Sequence, residues 1–411
     1  MSTILPSYDE DPRAAFIRAM ARELHLAGVA TDALEQTLDD VAATIGLEAQ
    51  VLAFPTYLMI AVGPEHDQHL TMLRLPPGSV SLRKISLLND IYDRLREGKI
   101  DYLIATRLLS ELDEHWPPIA LWLRIPALMM IGIGVAIILG ASLHEIIVAG
   151  AIGAVTGSLS MLAARYSLMA RLFEVAAAFA ATLIVAIFSL WYGRTDVYVS
   201  IIAGVVVILP GYSLTLALHE LANRDLVAGV ARLGKVMSTL FALGCGALLG
   251  FAVAGPWLAS SGAIRPHPVS MTWWLLAVAL MASGLCIDLD ARRRDIGWVA
   301  AACFFAIATS HVIGGLPVHQ VAAFLSAFVC GVVANLGARF LRVPQPVMLV
   351  PAVIVLVPGS LSYESVLFAF QNHIADALTI GANAASAAIQ IVAGLLLSQL
   401  LITSSPLRGE Q

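Results

Sequence analysis

From residue 119 onward the chain divides into ten apolar stretches, each near the 20 or so residues a helix needs to cross roughly 30 Å of hydrocarbon. Their approximate limits are 119–140, 143–163, 170–192, 197–217, 231–255, 271–289, 296–314, 319–340, 346–368 and 381–402. Nothing else constrains the fold as strongly. In lipid, backbone polar groups have to be satisfied within the segment, so these stretches must be helices. The part before them differs in kind: residues 1–115 hold 10 Lys/Arg and 18 Asp/Glu, residues 116–411 only 14 and 11. That shift places a boundary near His115-Trp116-Pro117-Pro118. A soluble enzyme is excluded, because only 13% of the chain is charged where a soluble domain carries about a quarter. The expectation is a polytopic α-helical membrane protein: a small N-terminal α+β cytoplasmic domain (1–115), a first five-helix membrane half (116–260) and a second (261–411).

The N-terminal segment reads as alternating helix and strand. Apolar positions at helical spacing run from Pro12 to Leu26 and stop at Gly28; Thr31-Asp32 are placed to cap a second helix through Ile45. Val51–Phe54, Tyr57–Val62 and Leu70–Leu75 cluster strand formers between Pro and Gly, and helices follow over Leu82–Leu95 and Asp101–Leu112. Asp9, Glu10, Asp11 and Arg13 interrupt any apolar leader, so the first span is expected to serve as the targeting signal.

Basic residues favour the cytoplasmic side of short loops. With the N-terminal domain inside, the inner positions hold Arg124, Arg165, Arg171, Arg224, Arg232, Lys235, Arg292, Arg293, Arg294, Arg339, Arg342 and Arg408; the outer ones hold only Arg194 and Arg265. Both termini are therefore placed in the cytoplasm of a cell (plasma or inner) membrane protein. Arg292-Arg293-Arg294 reads as a topological anchor against anionic lipid. Cys245, Cys286, Cys303 and Cys330 all lie in apolar spans without metal spacing and read as packing or lipid-facing residues.

Five spans per half have a geometric consequence: the second half enters from the opposite side, and equivalent elements run antiparallel, as in inverted-repeat transporters. Spans four and nine share a signature, Ile208-Leu209-Pro210-Gly211 and Leu356-Val357-Pro358-Gly359. In each half a glycine follows 35 residues after the Pro-Gly glycine, Gly246 and Gly394. Proline removes a backbone donor and glycine relaxes the chain, so each pair is expected to interrupt its helix. Freed amides and carbonyls then line a cavity. Hydroxyls follow at once: Tyr212, Ser213 and Thr215 in one half, Ser360, Ser362 and Tyr363 in the other. Gly211 with Thr215, and Gly359 with Ser362 and Tyr363, share helix faces.

Charged groups within spans are costly and usually face water. Glu174, Glu364 and Glu145 (beside His144) are candidates for carrying a proton or meeting an amine. His311 and Asn335 are polar groups suited to bridging helices. The loop after span four, His219-Glu220-Leu221-Ala222-Asn223-Arg224-Asp225 with Gly229 and Arg232, is the densest polar cluster of the membrane part, placed either as an ion-paired inner gate or as solvated surface. GxSxG, P-loop and HExxH signatures are absent, and His66 and His69, with Glu65 and Asp67 beside them, read as an exposed turn. The reading is therefore not an enzyme, and neither metal nor cofactor is implied. A net acidic N-terminal segment disfavours nucleic acid.

Leu209-Pro210-Gly211-Tyr212-Ser213-Leu214-Thr215, His219-Glu220-Leu221 and Val227-Ala228-Gly229-Val230-Ala231-Arg232-Leu233 resemble the threonine/serine exporter family. The N-terminal segment is similar to the same family at Arg13, Phe16-Ile17, Leu24, Gly28, Leu34-Glu35, Val41-Ala42, Ile45-Gly46 and Phe54-Pro55-Thr56, and the second half, around Val357-Pro358-Gly359-Ser360, to its smaller partner domain. Gly28-Val29-Ala30-Thr31 is less polar than the family pattern. The resemblance implies a membrane exporter in fused form; split members are linked to succinate-like acids. The resulting expectation is a proton-coupled secondary transporter exporting threonine, serine or a similar small polar metabolite, with lipid as its surroundings and homo-oligomerisation open. A dicarboxylate exporter and a non-transporting membrane scaffold are the alternatives.

Overall fold

The computed structural model describes residues 11–64, 66–192, 196–258, 269–314, 321–341 and 343–401. Arg194, Arg265, Arg342, Arg408 and Glu65 lie outside the described residues.

The N-terminal segment opens with α1 (Pro12–Leu26), where Pro12 stands in the first turn and the Asp11 carboxylate accepts the Arg13 amide, a cap that satisfies one of the helix's free donors. Next come α2 (Thr31–Thr44) and three antiparallel strands, β1 (Ala49–Phe54), β2 (Tyr57–Val62) and β3 (His69–Arg74), in the order β1-β2-β3. Phe54 pairs with Tyr57, so Pro55-Thr56 form the hairpin turn. Alternation along β2 buries Leu58, Ile60 and Val62, the face that packs with Phe16, Ile17, Met20 and Leu24 of α1. The helices α3 (Leu82–Arg96), α4 (Tyr102–Ser110) and α5 (Leu112–His115) complete it, with Ser81 and Asp101 as side-chain caps. Thr31 is the first residue of α2 rather than its cap, which falls on Ala30 and has no side-chain bond; the Thr31 hydroxyl is used elsewhere.

The remaining helices are α6 (Arg124–Ile138), α7 (Leu143–Arg165), α8 (Ser167–Tyr192), α9 (Val197–Val205) extended by a 3-10 turn to Ile208, α10 (Gly211–Ala222), α11 (Leu226–Leu258), α12 (Met271–Asp288), α13 (Ile296–Gly314), α14 (Ala322–Leu341), α15 (Gln345–Leu356), α16 (Gly359–Phe370) and α17 (Ile374–Leu401). Among the described residues, nine helical stretches are long and apolar enough to cross a membrane, and α9 with α10 form one further pair bent by 58°. The protein is thus a polytopic α-helical membrane protein. Cys286, Cys303 and Cys330 are buried packing residues and Cys245 is exposed. Asn335 bridges helices as its position suggests: its amide donates to the Ser398 carbonyl at 3.2 Å, and Gln345 donates to its oxygen at 2.6 Å.

The N-terminal segment docks on two loops at one end of the helical bundle. On the α12–α13 loop, Asp290 accepts from Ser81 Oγ (2.9 Å), Arg83 Nε (2.7 Å) and the Ile119 amide (3.0 Å). Asp295 accepts from Ser86 Oγ at 2.7 Å, and Arg292 and Arg294 both pair with Asp90 at 2.8 Å. Two members of the arginine triplet therefore meet protein: α3 carries Asp90 to both of them.

Candidate functional site

Proline decides where the fourth and ninth spans break. The residue before a proline is pushed out of the helical region, and Leu209 (ψ 130°) and Val357 (ψ 138°) are both extended. Pro210 and Pro358 then take almost the same conformation, φ −80°, ψ 36° and φ −79°, ψ 41°, and each precedes a helix of 12 residues beginning at the glycine. Neither α10 nor α16 has a side-chain N-cap, so each starts with donors left over from the helical pattern and the positive end of its dipole.

The two breaks touch. A Cβ placed on Gly211 would stand 3.0 Å from Gly359 Cα and 3.1 Å from its nitrogen; one on Gly359 would stand 3.2 Å from Gly211 Cα. Only glycine permits backbones this close. The contact lies on a cavity of about 1190 Å³ whose wall includes Pro210, Gly211, Tyr212, Ser213, Gly359 and Ser360. The other walls come from α6, α8, α11, α12 and α13, with charged or polar groups from Glu174, Lys235, Asp288 and His311. Ser79 and Val80, between β3 and α3, also line it. Gly28 (φ +74°) holds that segment: its Cα lies under Val80, at a position where a Cβ would be 2.8 Å from the Val80 nitrogen.

The remaining anticipated residues fall into three groups. Thr215, Ser362 and Tyr363 are buried behind the breaks rather than on the cavity wall; Ser362 bonds back to the Pro358 carbonyl at 3.2 Å, while Thr215 Oγ1 and the Tyr363 hydroxyl have no partner. Pro358 and the half-buried Glu364 are likewise off the wall. Glu145 is engaged by backbone: it accepts from the Ser142 amide at 2.6 Å, closing a capping box on α7, and from the Asp196 amide at 2.8 Å. Two occupied oxygens tie the α6–α7 loop to the start of α9.

His219, Glu220 and Arg232 belong to the second docking contact of the N-terminal segment. Fully buried Glu220 takes two bonds from Arg232, at 2.9 and 2.7 Å, the paired geometry that suits a guanidinium and a carboxylate. Thr31 Oγ1 lies 3.0 Å from Glu220 and 2.7 Å from Asp225. Asp32 accepts from Asn223 at 3.0 Å and faces His219 at 3.4 Å. Burial alone would raise the Asp32 pKa, but the bond to His219, its charge and the further donors hold it below the usual range. The cluster reads from sequence as gate or solvated loop, because its partners, Thr31 and Asp32, lie almost two hundred residues upstream.

Sequence reasoning passed over Asp288 and took Lys235 only as one of the inner basic residues. The signal for Asp288 was available: an acid inside the limits of the sixth span. Its neighbours Asp290 and Arg292-Arg293-Arg294 made it look like part of a polar loop.

Residues 15–254 match the family described as "Putative threonine/serine exporter", and residues 272–401 match a second description, "Threonine/Serine exporter, ThrE". The chain belongs to the threonine/serine exporter family. Among curated relatives of this exporter-family chain, pheromone-regulated membrane protein 10 of Candida albicans is 25% identical over 432 residues, which cover 95% of this chain and 38% of the relative. The protein of the same name from Debaryomyces hansenii is 25% identical over 385 residues, 89% and 38% of the two chains. An uncharacterised protein of Schizosaccharomyces pombe is 24% identical over 371 residues, 86% and 48%. The chain thus spans less than half the length of these relatives. No solved structure matches.

Proposed function

We propose that this chain is a secondary transporter that exports threonine, serine or a similar small polar metabolite from the cytoplasm in exchange for protons, by rocking of two inverted five-helix halves, 116–260 and 261–411, about the paired breaks. The observation that carries the reading is the backbone contact of Gly211 with Gly359 on the wall of a large cavity. Interrupted helices meeting near mid-membrane are how inverted-repeat transporters build a solute site.

Several equivalences support two halves of one design. Arg224 (φ 69°) and Asn372 (φ 64°) take the left-handed conformation at the same position, thirteen residues after Gly211 and Gly359. Gly246 of α11 packs against the Val175 carbonyl of α8, and Gly394 of α17 against the Phe324 carbonyl of α14. The asymmetry of basic residues supports a cytoplasmic N-terminal domain over 1–115. In the mechanism, uncapped amides at the starts of α10 and α16 receive the solute's carboxylate, while carbonyls at the breaks with Ser213 and Ser360 receive its ammonium and hydroxyl. The cavity exceeds the usual 300–1,000 Å³ of small-molecule sites, so a solute enters with part of its hydration.

Proteoliposomes loaded with labelled threonine test the reading: efflux is expected to exceed that of protein-free vesicles, to speed up with an opposing proton gradient, and to slow when serine competes. Efflux no faster than from empty lipid would overturn it. Lys235 on the cavity wall favours a second reading, dicarboxylate export, which faster efflux of succinate than of threonine would select.

A further inference from the structure

The acids of the helical bundle sort themselves by elimination. Glu145 and Asp196 accept backbone amides. Glu220 and Asp225 accept from Arg232 and Thr31. Asp290 and Asp295 accept from the N-terminal segment, and Asp376 faces His373 at 3.8 Å. Among the described residues this leaves Glu174, Asp288 and Glu364 without a hydrogen bond or ion pair, and of these only Glu174 and Asp288 line the cavity. An acid in an apolar span with no protein partner, beside a cavity, is held there at a cost that structure does not repay.

Position separates the two. Glu174 has Arg171 one turn before it on α8. Asp288 ends α12, and the residues that follow it are the docking point: the Leu289 carbonyl accepts the Leu82 amide at 2.8 Å and Asp290 accepts from Ser81 and Arg83. Ser79 and Val80, just before that contact, lie on the same cavity wall as Asp288. Arg124 at the start of α6 acts on it electrostatically; Glu174 of α8 and Lys235 of α11 line the same cavity, whereas His311 of α13 lies beside Trp274, about four turns away along α12. Asp295 and Arg83 flank it at the dock.

Resting on the transport reading above, we propose that Asp288 is the exchange carboxylate, which holds either the incoming proton or the ammonium group of the outgoing solute, never both. With the cavity open to the outside, a proton binds the carboxylate oxygen and makes it neutral. With the cavity open to the inside, that proton leaves to water, and the solute's ammonium takes its place as an ion pair. Competition for one group makes the exchange obligatory without any further coupling device. Lys235, across the cavity, meets the opposite charge of the same zwitterion.

The test is threonine transport by the full chain in proteoliposomes, with rate read against pH and concentration. In the unmodified protein, acidification on the solute side is expected to raise the apparent KM while leaving the maximal rate unchanged. A one-unit pH step is worth about tenfold in the limiting solute ratio of a one-for-one exchange. Asp288→Asn is expected to retain threonine–threonine exchange with a raised, pH-independent KM and to lose that tenfold enrichment. Asp288→Glu is expected to restore enrichment with a displaced pH profile, while Glu174→Gln, which removes a charge from the same cavity lining, is expected to keep the enrichment and at most to shift the profile. Enrichment undiminished in Asp288→Asn, or a profile flattened by Glu174→Gln instead, would overturn the assignment. A purely structural role for Asp288 would lower the maximal rate of Asp288→Asn at every pH and leave its enrichment intact, which also counts against it. Failure of the unmodified protein to move threonine or succinate would instead strike the transport reading itself.

Discussion

Adding one methyl group at Gly211 probes the contact on which the reading turns. A Cβ there would lie 2.5 Å from Val357 Cγ1, 3.0 Å from Gly359 Cα and 3.1 Å from Gly359 N. Carbon atoms rest at about 3.5–4.0 Å, so α10 and α16 must separate by roughly half an ångström to an ångström, and two of the three atoms are backbone that no rotamer change can move. Overpacking on this scale costs about 1–3 kcal/mol. Replacing a helical glycine by alanine returns about 0.5–1 kcal/mol of chain entropy, so Gly211→Ala is expected to lose stability on balance. Gly359→Ala opens the same gap, since its Cβ would stand 3.2 and 3.3 Å from Gly211 Cα and N. The second substitution should therefore cost less once the first is present, with a coupling of about 0.5–3 kcal/mol. Gly234→Ala serves as the control, because a Cβ there meets nothing within 4 Å. Denaturation midpoints in detergent, with threonine efflux in parallel, give the four corners of the cycle. Singly neutral variants, or a strictly additive pair with normal efflux, would refute the claim that the two breaks bear on one another.

Two further outcomes follow from the N-terminal contacts. Arg232→Met leaves the fully buried Glu220 with hydroxyl contact alone, a loss of about 3–5 kcal/mol for an uncompensated buried charge; adding Glu220→Leu is expected to recover most of it, so a double variant no more stable than Arg232→Met alone in the same denaturation series would count against the pairing. His25 has its pKa lowered from 6.5, first by burial, with a bond to the Pro76 carbonyl acting the other way. The unfolded chain thus takes up this proton more readily, and the His25 contribution, constant above pH 6.5, is lost as pH falls below it; the protection of α1 amides, taken relative to the intrinsic exchange rate at each pH, should fall over that window, and an equal fall in His25→Gln would exclude His25 as the cause.

Periodicity and punctuation carried most of the fold. Apolar runs of span length cannot be anything but helices in lipid, and Pro-Gly in two of them specified both breaks to the residue. The helix starts expected at Pro12, Leu82 and Asp101 fall within one residue of those in the structure, because capping is local chemistry. What stayed hidden was contact between distant segments. Thr31 has the look of an ordinary cap, yet its hydroxyl serves Glu220 and Asp225. Arg292 and Arg294 have the look of lipid anchors, yet Asp90 meets both. Among candidate site residues, adjacency to the Pro-Gly breaks nominates Ser213 and Ser360, which line the cavity, whereas helical spacing from the two glycines nominates Thr215, Ser362 and Tyr363, which are buried away from it. A face shared with a glycine says nothing about which neighbour that face meets.

The two docking contacts of the N-terminal segment differ in what they leave behind when broken. At the α10–α11 loop, withdrawal of Thr31 leaves Glu220 with both bonds from Arg232, so the buried acid remains neutralised within its own half. At the α12–α13 loop, withdrawal of Ser81 and Arg83 removes two of the three donors held by Asp290, and it takes from Arg83, itself buried, one of its carboxylate partners. Three ion pairs cross this dock, Arg83 with Asp290 and Arg292 and Arg294 with Asp90, and a buried charge deprived of its partner costs several kcal/mol; the α10–α11 dock holds single hydrogen bonds worth about one each and Asp32 facing His219, an ion pair only while the imidazole carries a proton. On the proposed transport cycle, rocking of two halves that both touch the N-terminal segment has to release one of its attachments. The balance favours release at Thr31-Asp32, so in that cycle the N-terminal segment is expected to travel with α12 and α13, carrying Ser79 and Val80 along the cavity lining.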